Sequence, residues 1–295
     1  MARIDLPEPS LTLSKAHARR FLLTHQRLLP PRRLDGKTGI MEYVAHVGCI
    51  QFDPINVVGC NPDLVLQARI ANFSPTMLEE LRYADHRLLD GFDKVASIYQ
   101  ASDWPYFARR RDYARERQGD PASPPMRIAP DVLETIRERG PLSSIDLKHS
   151  ETIDWRWGNE TRVSRACLEV LYEMGDLIVH HRIGTRRVFD LAERVLPAKL
   201  LSACDPNTTE EEYQNWHVLR RVGGLGLANP SAAQYWQGIL NVNGTVRRQV
   251  LSRLVQRGDL TAVAVEGVEA RTLFIRNADL ATLEAARDEL PAEPE

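Results

Sequence analysis

The fold is decided by the stretch Gly175-Asp176-Leu177-Ile178-Val179-His180-His181, with a turn at Gly184 and a return through Val188-Phe189. The glycine that opens this stretch follows an amphipathic helix, and the runs on either side of Gly184 are rich in β-branched and aromatic residues. A helix that is closed by glycine and followed by a β-hairpin is how a winged helix ends. The stretch therefore predicts a winged helix, a helix-turn-helix variant of the kind that binds duplex DNA.

The same pattern occurs a second time further along the chain. Gly258-Asp259-Leu260 closes a helix, Gly267 marks a turn, and a β-branched run returns through residues 272–275. A spacing of 83 residues separates Gly175 from Gly258, Gly184 from Gly267 and Gly140 from Gly223. A fixed period indicates one supersecondary unit that is used more than once. The sequence thus predicts tandem winged helices.

Three blocks are predicted along the 295 residues, in a fold that is mainly α with small β-hairpins (α+β). An N-terminal winged-helix-like domain is expected over 10–118, a second winged helix over 126–203 and a third over 210–286. The Pro- and Gly-rich run 119–125 is interpreted as a boundary between the first two blocks. Thr209 and Glu212 have the spacing of a capping box and are expected to begin the third block's first helix.

Composition excludes several classes of protein. No apolar run reaches the length of about 18 residues that a membrane span needs, and no signal peptide is recognisable at the N-terminus. The four cysteines form no CxxC or CxxH pair, which argues against a zinc site. No metal and no cofactor are expected. His180 and His181 are expected on opposite faces of one strand, where they cannot share a metal. The chain is expected to be a cytoplasmic monomer that works in the bacterial nucleoid.

The net charge of −2 argues against nucleic-acid binding, but the basic residues are clustered. Two clusters lie on the predicted last helices of the second and third blocks, and one lies in the second block's wing, which is the favoured contact. Each cluster alone is equally consistent with a solvated helix face. The predicted DNA contacts of these clusters are Arg162, Arg165, Arg182, Arg186, Arg187, Arg247 and Arg248.

One short extended segment in the first block carries candidate catalytic residues. In the run 50–58, Gln51 and Asp53 project to one face while Ile50 and Phe52 project to the other. An amide and a carboxylate on one face can hold a water molecule, with the carboxylate as general base. The structural alternative is that Asp53 and Pro54 simply open a turn.

The residues of this segment resemble the YcaQ/AlkZ family of interstrand-crosslink DNA glycosylases, which are built from tandem winged helices. Gln51-Phe52-Asp53 matches the family's Gln-apolar-Asp motif, and the run 61–69 behind it is also similar. Further similarity lies in Trp155 and Trp157 and in the run 175–197, so that the resemblance spans about residues 10 to 285.

The resemblance implies a monofunctional glycosylase that hydrolyses the N-glycosidic bond of alkylated purines in duplex DNA, such as N7-alkylguanine adducts and interstrand crosslinks. Asp53 would act as base and counter-charge and Gln51 as the group that positions water. Asn56 and Lys94 would contact DNA. An open cleft is expected in place of ordinary base flipping, because a crosslinked base is too bulky for a tight pocket.

Two departures from the family leave the substrate open. Lys94-Val95-Ala96 stands where the crosslink-repairing members carry His-Glu-Ala, and Cys60 stands where they carry arginine. Lys94 is expected to form an ion pair with Asp93 or to contact a phosphate, in preference to acting as a nucleophile. The family's C-terminal β-rich domain is not recognisable, and the sequence given ends in an acidic tail.

Two other functions fit the same residues. A non-catalytic winged-helix DNA-binding protein, either a regulator or an architectural protein, would show the same repeat and the same basic clusters. A winged helix that serves as a protein-interaction module would also do so. Trp155 and Trp157 fit base stacking or, more readily, core packing.

Overall fold

The computed structural model describes residues 5–268 and 272–287, so the acidic tail and residues 269–271 of the second predicted wing lie outside the described residues. The helices are α1 Lys15–His25, α2 Gly36–Val47, α3 Asn61–Gln67, α4 Pro75–Tyr83, α5 Ala108–Gln118, α6 Pro124–Arg127, α7 Ala129–Arg139, α8 Val163–Met174, α9 Ala192–Val195, α10 Ala198–Leu201, α11 Glu210–Leu225, α12 Gly244–Gln256 and α13 Leu280–Ala285. The strands are β1 Leu11–Leu13, β2 Leu34–Asp35, β3 Cys49–Gln51, β4 Ile70–Ala71, β5 Leu88–Phe92, β6 Ala96–Gln100, β7 Thr152–Asp154, β8 Glu160–Arg162, β9 Leu177–Ile183, β10 Arg186–Leu191, β11 Leu260–Val265 and β12 Leu273–Arg276. The predicted class, mainly helical with small sheets, is confirmed.

By its internal contacts the chain forms two compact units. Unit 1 comprises residues 1–78, 91–99 and 207–295, and unit 2 comprises residues 79–90 and 100–206. These units cross the predicted block boundaries, because most of the first block joins the third while its last helix joins the second. The linker 119–125 therefore lies inside unit 2 and separates no compact units. The division into three winged helices stays a prediction about repeated modules.

The repeated helix and hairpin are present in both units. In unit 2, α8 ends at Gly175 (φ 84°), and β9 pairs antiparallel with β10 around Gly184 (φ 61°). In unit 1, α12 is followed by Gly258 (φ 77°), and β11 pairs antiparallel with β12. Positive φ is cheap only for glycine, which explains why these positions recur in one register.

The third glycine pair of the repeat is not equivalent in the structure. Gly140 follows α7 with a φ of 84°, whereas Gly223 lies inside α11. The helix in unit 1 continues to Leu225 and is closed by Gly226 (φ 79°) instead. The 83-residue register therefore holds for the hairpins and fails for the first helix of each copy.

The core of unit 2 forms on the apolar stripe of α8, which is the amphipathic helix predicted before Gly175. The stripe packs with α7 and with the inward side chains of β9 and β10. Its buried members are Val163, Ala166, Cys167, Val170, Leu171 and Met174. Residues 143–148 form a turn, because Asp146 accepts hydrogen bonds from the Ser143 backbone (2.8 Å) and hydroxyl (2.7 Å).

The core of unit 1 extends the second hairpin into a three-stranded sheet. Strand β1 pairs in parallel with β11, a pairing that the local repeat did not predict. Helix α1 is capped by Ser14, which accepts a hydrogen bond from the His17 amide, and it ends at His25. Arg27 has a φ of 56°, so the chain has already left the helix there. The Thr209–Glu212 capping box of α11 is confirmed.

A β-bulge overturns one prediction about the histidines of β9. The register shifts opposite Val188 and Phe189, so that His180 and His181 do not alternate regularly across the strand. Their Nδ1 atoms lie 2.9 Å apart, within hydrogen-bonding distance. In the described part of the chain, no cluster of three or more His, Cys, Asp or Glu side chains is arranged to bind a metal. No described helix has the length and apolar character of a membrane span.

Candidate functional site

The Gln51–Asp53 segment lies at the end of a short strand in unit 1. Strand β3 pairs antiparallel with β6, with Gln51 opposite Ser97, and the Phe52 amide donates to the Ala96 carbonyl at 2.8 Å. Ile50 is 4% exposed and anchors the strand in the core. The side chain of Gln51 is exposed, as the alternation of the strand predicted.

The carboxylate of Asp53 is half-buried and has few polar partners among the described residues. Its Oδ1 accepts a hydrogen bond from the Ile55 amide at 3.0 Å. Within the described residues Asp53 takes part in no ion pair. The loop that follows is closed by Asn61, whose side-chain amide donates to the Gln51 carbonyl at 2.8 Å. Asp53 is thus held in place at one oxygen while its charge is not neutralised by a neighbour.

Gln51 and Lys94, both predicted site residues, line one cavity of about 320 Å³ in unit 1. Among the described residues the Lys94 ammonium forms no ion pair, and it lies 5.7 Å from the centre of the Tyr235 ring. The lining also includes the polar and aromatic side chains of Tyr43, Asn61 and Arg69 and several aliphatic side chains. This cavity brings together the candidate catalytic amide of Gln51 and the ammonium of Lys94, which has no ion-pair partner among the described residues.

A buried charge cluster on the same cavity was missed from the sequence. Asp93 is 1% exposed and accepts three hydrogen bonds from α11: from His217 at 3.0 Å, from Arg220 Nε at 2.9 Å and from Arg221 at 2.7 Å. The predicted ion pair between Lys94 and Asp93 is therefore wrong, because this buried carboxylate pairs instead with Arg220 and Arg221, which are distant in sequence. The available signal was the i, i+3, i+4 spacing of the three donors on one helix.

The pKa values of Asp93 and His217 are both lowered within the cluster. Burial alone would raise the pKa of the Asp93 carboxyl, but the hydrogen bond from His217 and the guanidinium groups of Arg221 and Arg220 hold it well below 3.8. Burial lowers the pKa of His217, although Asp93 opposes the shift. A neutral His217 donates from Nε2 to Asp93 and accepts at Nδ1 from the Tyr213 hydroxyl, 3.2 Å away.

The same cluster fixes the strand that carries Gln51. Arg220 donates to the Gly48 carbonyl at 2.6 Å, at the end of α2 and directly before β3. Gly238 packs so closely that a Cβ atom there would lie 1.9 Å from the Asp93 carbonyl oxygen. Helix α11, the turn at Asp93 and the start of β3 are therefore held together by charged hydrogen bonds in unit 1.

Two of the three wing arginines in unit 2 are engaged by side chains of their own unit. Arg182 is 15% exposed and donates to Asp90 at 2.9 Å, and Asp90 also binds Arg82. Arg187 donates to Glu169 at 3.1 Å and stacks near Phe189. The prediction of Arg182 as a DNA contact has no support here, because its charge is already neutralised inside unit 2.

The remaining predicted contacts of unit 2 are more accessible. Arg162 is exposed at the end of β8, and Arg165 is 65% exposed beside Glu169. Arg186 is exposed at the wing turn and forms no ion pair within the described residues. Together Arg165, Arg186 and Arg187 line a cleft of about 290 Å³. The structure thus brings part of the predicted basic set into one place.

Helix α12 and the loop after Asp53 hold the other predicted contacts of unit 1. Arg247 and Arg248 are half-buried, and the Arg247 guanidinium lies 5.5 Å from the Trp236 ring centre. Burial, followed by the neighbouring charge of Arg248, lowers the pKa of the Arg247 guanidinium from its usual range. Asn56 is exposed.

Trp155 packs in the core of unit 2 and does not form an open stacking surface. It contacts the cluster of Ala114, Val170 and Met174, and its Nε1 donates to Glu169 at 3.1 Å. The side chain of Trp157 lies outside the described residues. The interpretation of Trp155 as a packing residue is the one that these contacts favour.

The comparisons with known proteins agree with the motifs in the first unit. The family described as DNA glycosylase AlkZ-like matches residues 44–294, which is most of the chain. The solved structure of the Streptomyces sahachiroi DNA glycosylase AlkZ is similar in fold, with a TM-score of 0.60 and 15% sequence identity. That match covers 93% of this chain and 73% of the AlkZ chain. The chain belongs to the AlkZ-like DNA glycosylase family, as the resemblance around Gln51-Phe52-Asp53 predicted.

Proposed function

We propose that this glycosylase removes alkylated purines, such as N7-alkylguanine, from duplex DNA by hydrolysis at Asp53 and Gln51. The observation that carries the proposal is the state of Asp53: a half-buried carboxylate, held at one oxygen by the Ile55 amide, with no cation paired to it in the described residues. Such a group can accept a proton from water and oppose a developing positive charge.

The hydrolysis of an N7-alkylated purine needs little further assistance from the protein. Alkylation at N7 makes guanine cationic, so the base leaves readily and general-acid assistance is not required. The bond that breaks joins C1′ to the purine nitrogen, and the electron pair leaves with the base. Asp53 stabilises the oxocarbenium-like sugar and takes the proton of the attacking water, while the Gln51 amide orients that water. No nucleophilic lysine is needed.

DNA contacts are proposed for the predicted residues other than Arg182, which is bound to the buried Asp90; all of them are exposed or half-buried. In unit 2 these are Arg162, Arg165, Arg186 and Arg187, three of which line one cleft. In unit 1 they are Asn56, Lys94, Arg247 and Arg248, with Lys94 at a phosphate. Local basic clusters can supply counterion release although the net charge is −2. We place the enzyme in the nucleoid, acting as a monomer.

The competing function is that of a non-catalytic DNA-binding protein, and one observation favours it. The hydrogen bond from the Ile55 amide to Asp53 is the geometry of an Asx turn, which needs no catalytic role. In that case the same fold would bind duplex DNA and release no base.

A heat-and-alkali cleavage assay separates the two functions. Wild-type protein is incubated with duplex DNA that carries a single N7-methylguanine or a single nitrogen-mustard crosslink, and abasic sites are cut and counted. Asp53→Asn should lose base release by on the order of 10²–10⁴-fold while it keeps its affinity for the duplex. Strand cleavage by Asp53→Asn at the wild-type rate would refute the assignment. No release from either substrate by the wild type would favour the non-catalytic protein.

A further inference from the structure

The most exposed apolar side chains of the described residues lie together in the loop that follows Asp53. Val57 is 87% exposed, Val58 is 85% exposed and Ile55 is 67% exposed. The loop, which we call the apolar loop and define as residues 54–59, contains no charged residue. Scattered single apolar residues on a surface are ordinary, but three within four positions form a patch that needs an explanation.

The base of the apolar loop is held by hydrogen bonds, although its tip is exposed to solvent. At one end the Ile55 amide donates to Asp53 at 3.0 Å, and at the other Asn61 donates to the Gln51 carbonyl at 2.8 Å. Gly59 has a φ of 148° and packs against Leu64, where a Cβ atom would lie 2.9 Å from the Leu64 side chain. The loop is therefore a projection anchored on the two residues that the proposed function places at the scissile bond.

We infer that the apolar loop is a wedge that enters the base stack of duplex DNA beside the damaged nucleotide, with Val57 and Val58 at its tip. The inference rests on the proposed function, which places the sugar of that nucleotide at Asp53. Base faces are the apolar part of a duplex, and aliphatic side chains inserted between base steps unstack and kink it. Unstacking opens the space around C1′ that Gln51 and a water molecule require.

The position of the loop favours base steps over a protein partner. Phosphates would call for cations, which the loop lacks, whereas its polar member Asn56 can hydrogen-bond to base edges in a groove. Because only Asp53 and Pro54 separate Gln51-Phe52 from Ile55, anything that reaches Asp53 also meets this loop. A second copy of this chain or another protein on the loop would block access to Asp53.

The test uses the full chain and a fluorescent base. A duplex carries N7-methylguanine with 2-aminopurine as its 3′ neighbour, and the background variant Asp53→Asn prevents excision during the measurement. In that background, binding should raise 2-aminopurine fluorescence because the base unstacks. Val57→Ser with Val58→Ser should lose the rise, whereas Val57→Leu with Val58→Leu should keep it. Ile145→Ser, at an apolar residue of unit 2 that is 57% exposed, is the matched control.

Excision and self-association complete the experiment. In the chain with Asp53 intact, the double serine variant should lower kcat for base release by on the order of tenfold, with unfolding and the affinity for undamaged duplex unchanged. The wedge is overturned if binding gives no rise in fluorescence, or if the double serine variant keeps both the rise and the wild-type kcat. It is also overturned if sedimentation shows that the wild type is a dimer and that the double serine variant is a monomer. If the wild type releases no base, the proposed function is overturned instead. The fluorescence measurement then tests only whether the apolar loop unstacks the duplex.

Discussion

Two aspartates of unit 1, Asp53 and Asp93, stand in opposite environments at the ends of short strands. Asp93 is 1% exposed and accepts hydrogen bonds from His217, Arg220 and Arg221. Asp53 is half-buried and accepts one backbone hydrogen bond, with no cation paired to it in the described part of the chain. A neutralised carboxylate can hold strands together, whereas an uncompensated one can take up a proton or oppose a developing cation.

The largest effect is expected when the buried member of this pair is removed. Asp93→Ala leaves two guanidinium groups without their shared partner, and breaking a buried ion pair in this way costs about 3–5 kcal/mol of stability. Urea unfolding followed by circular dichroism measures the free energy of unfolding. Asp53→Asn is the control, and it should change stability by less than about 0.5 kcal/mol because the side-chain oxygen that accepts from the Ile55 amide is kept and no ion pair is broken. Equal losses in both variants would break the comparison.

Activity should respond in the opposite sense to the same contrast. Gln51→Ala removes the amide that orients water beside Asp53, and loss of one positioned hydrogen-bonding group costs on the order of 10²–10³-fold in kcat. Single-turnover release of N7-methylguanine measures the effect, and the melting temperature should stay at the wild-type value. A matched control is Gln249→Ala, at an exposed glutamine of α12. If Gln51→Ala releases base at the wild-type rate, water is positioned by another group.

Acid should distinguish the two carboxylates through stability. The pKa of folded Asp93 lies well below 3.8, while that of an unfolded aspartate is about 3.9. Its stabilising contribution is therefore present above that pH and is lost as the pH falls from there through the folded pKa. Between pH 5 and about pH 2, Asp93→Asn should lose less stability than the wild type does. Asp53→Asn keeps the cluster and should keep the wild-type loss; identical curves for Asp93→Asn would contradict the shift.

The local sequence pattern predicted the repeated hairpins well, because the turn glycines and the β-branched residues of each hairpin lie within a few positions of one another. It also predicted the amphipathic helix before Gly175, the capping box of Thr209 and Glu212 and the outward face of Gln51. Of the candidate site, only the part that follows from strand geometry and from the family resemblance was predicted, namely the segment of Gln51 and Asp53.

The failures have a common physical cause, which is that they depend on contacts between distant residues. Asp93 meets its partners across more than 120 residues of chain, so no window of sequence contains the cluster. The parallel pairing of β1 with β11 joins residues that are about twice as far apart, since Leu11 lies opposite Val263. His180 and His181 were placed on opposite faces because a bulge is a property of two strands and cannot be read from one.

The contrast between neutralised and uncompensated charge extends to the wing of unit 2, where the expected effect is smallest. Arg186 is exposed without an ion pair among the described residues, so Arg186→Ala should reduce the slope of log K against log salt for duplex binding by about 1. Arg182 is bound to Asp90, so Arg182→Ala should leave the slope unchanged and lower the melting temperature, because a largely buried carboxylate loses a partner. Fluorescence anisotropy across a salt series measures both variants. If Arg182→Ala lowers the slope as much as Arg186→Ala does, then Arg182 exchanges Asp90 for a phosphate on binding, and an internal ion pair is no guide to which arginines meet DNA.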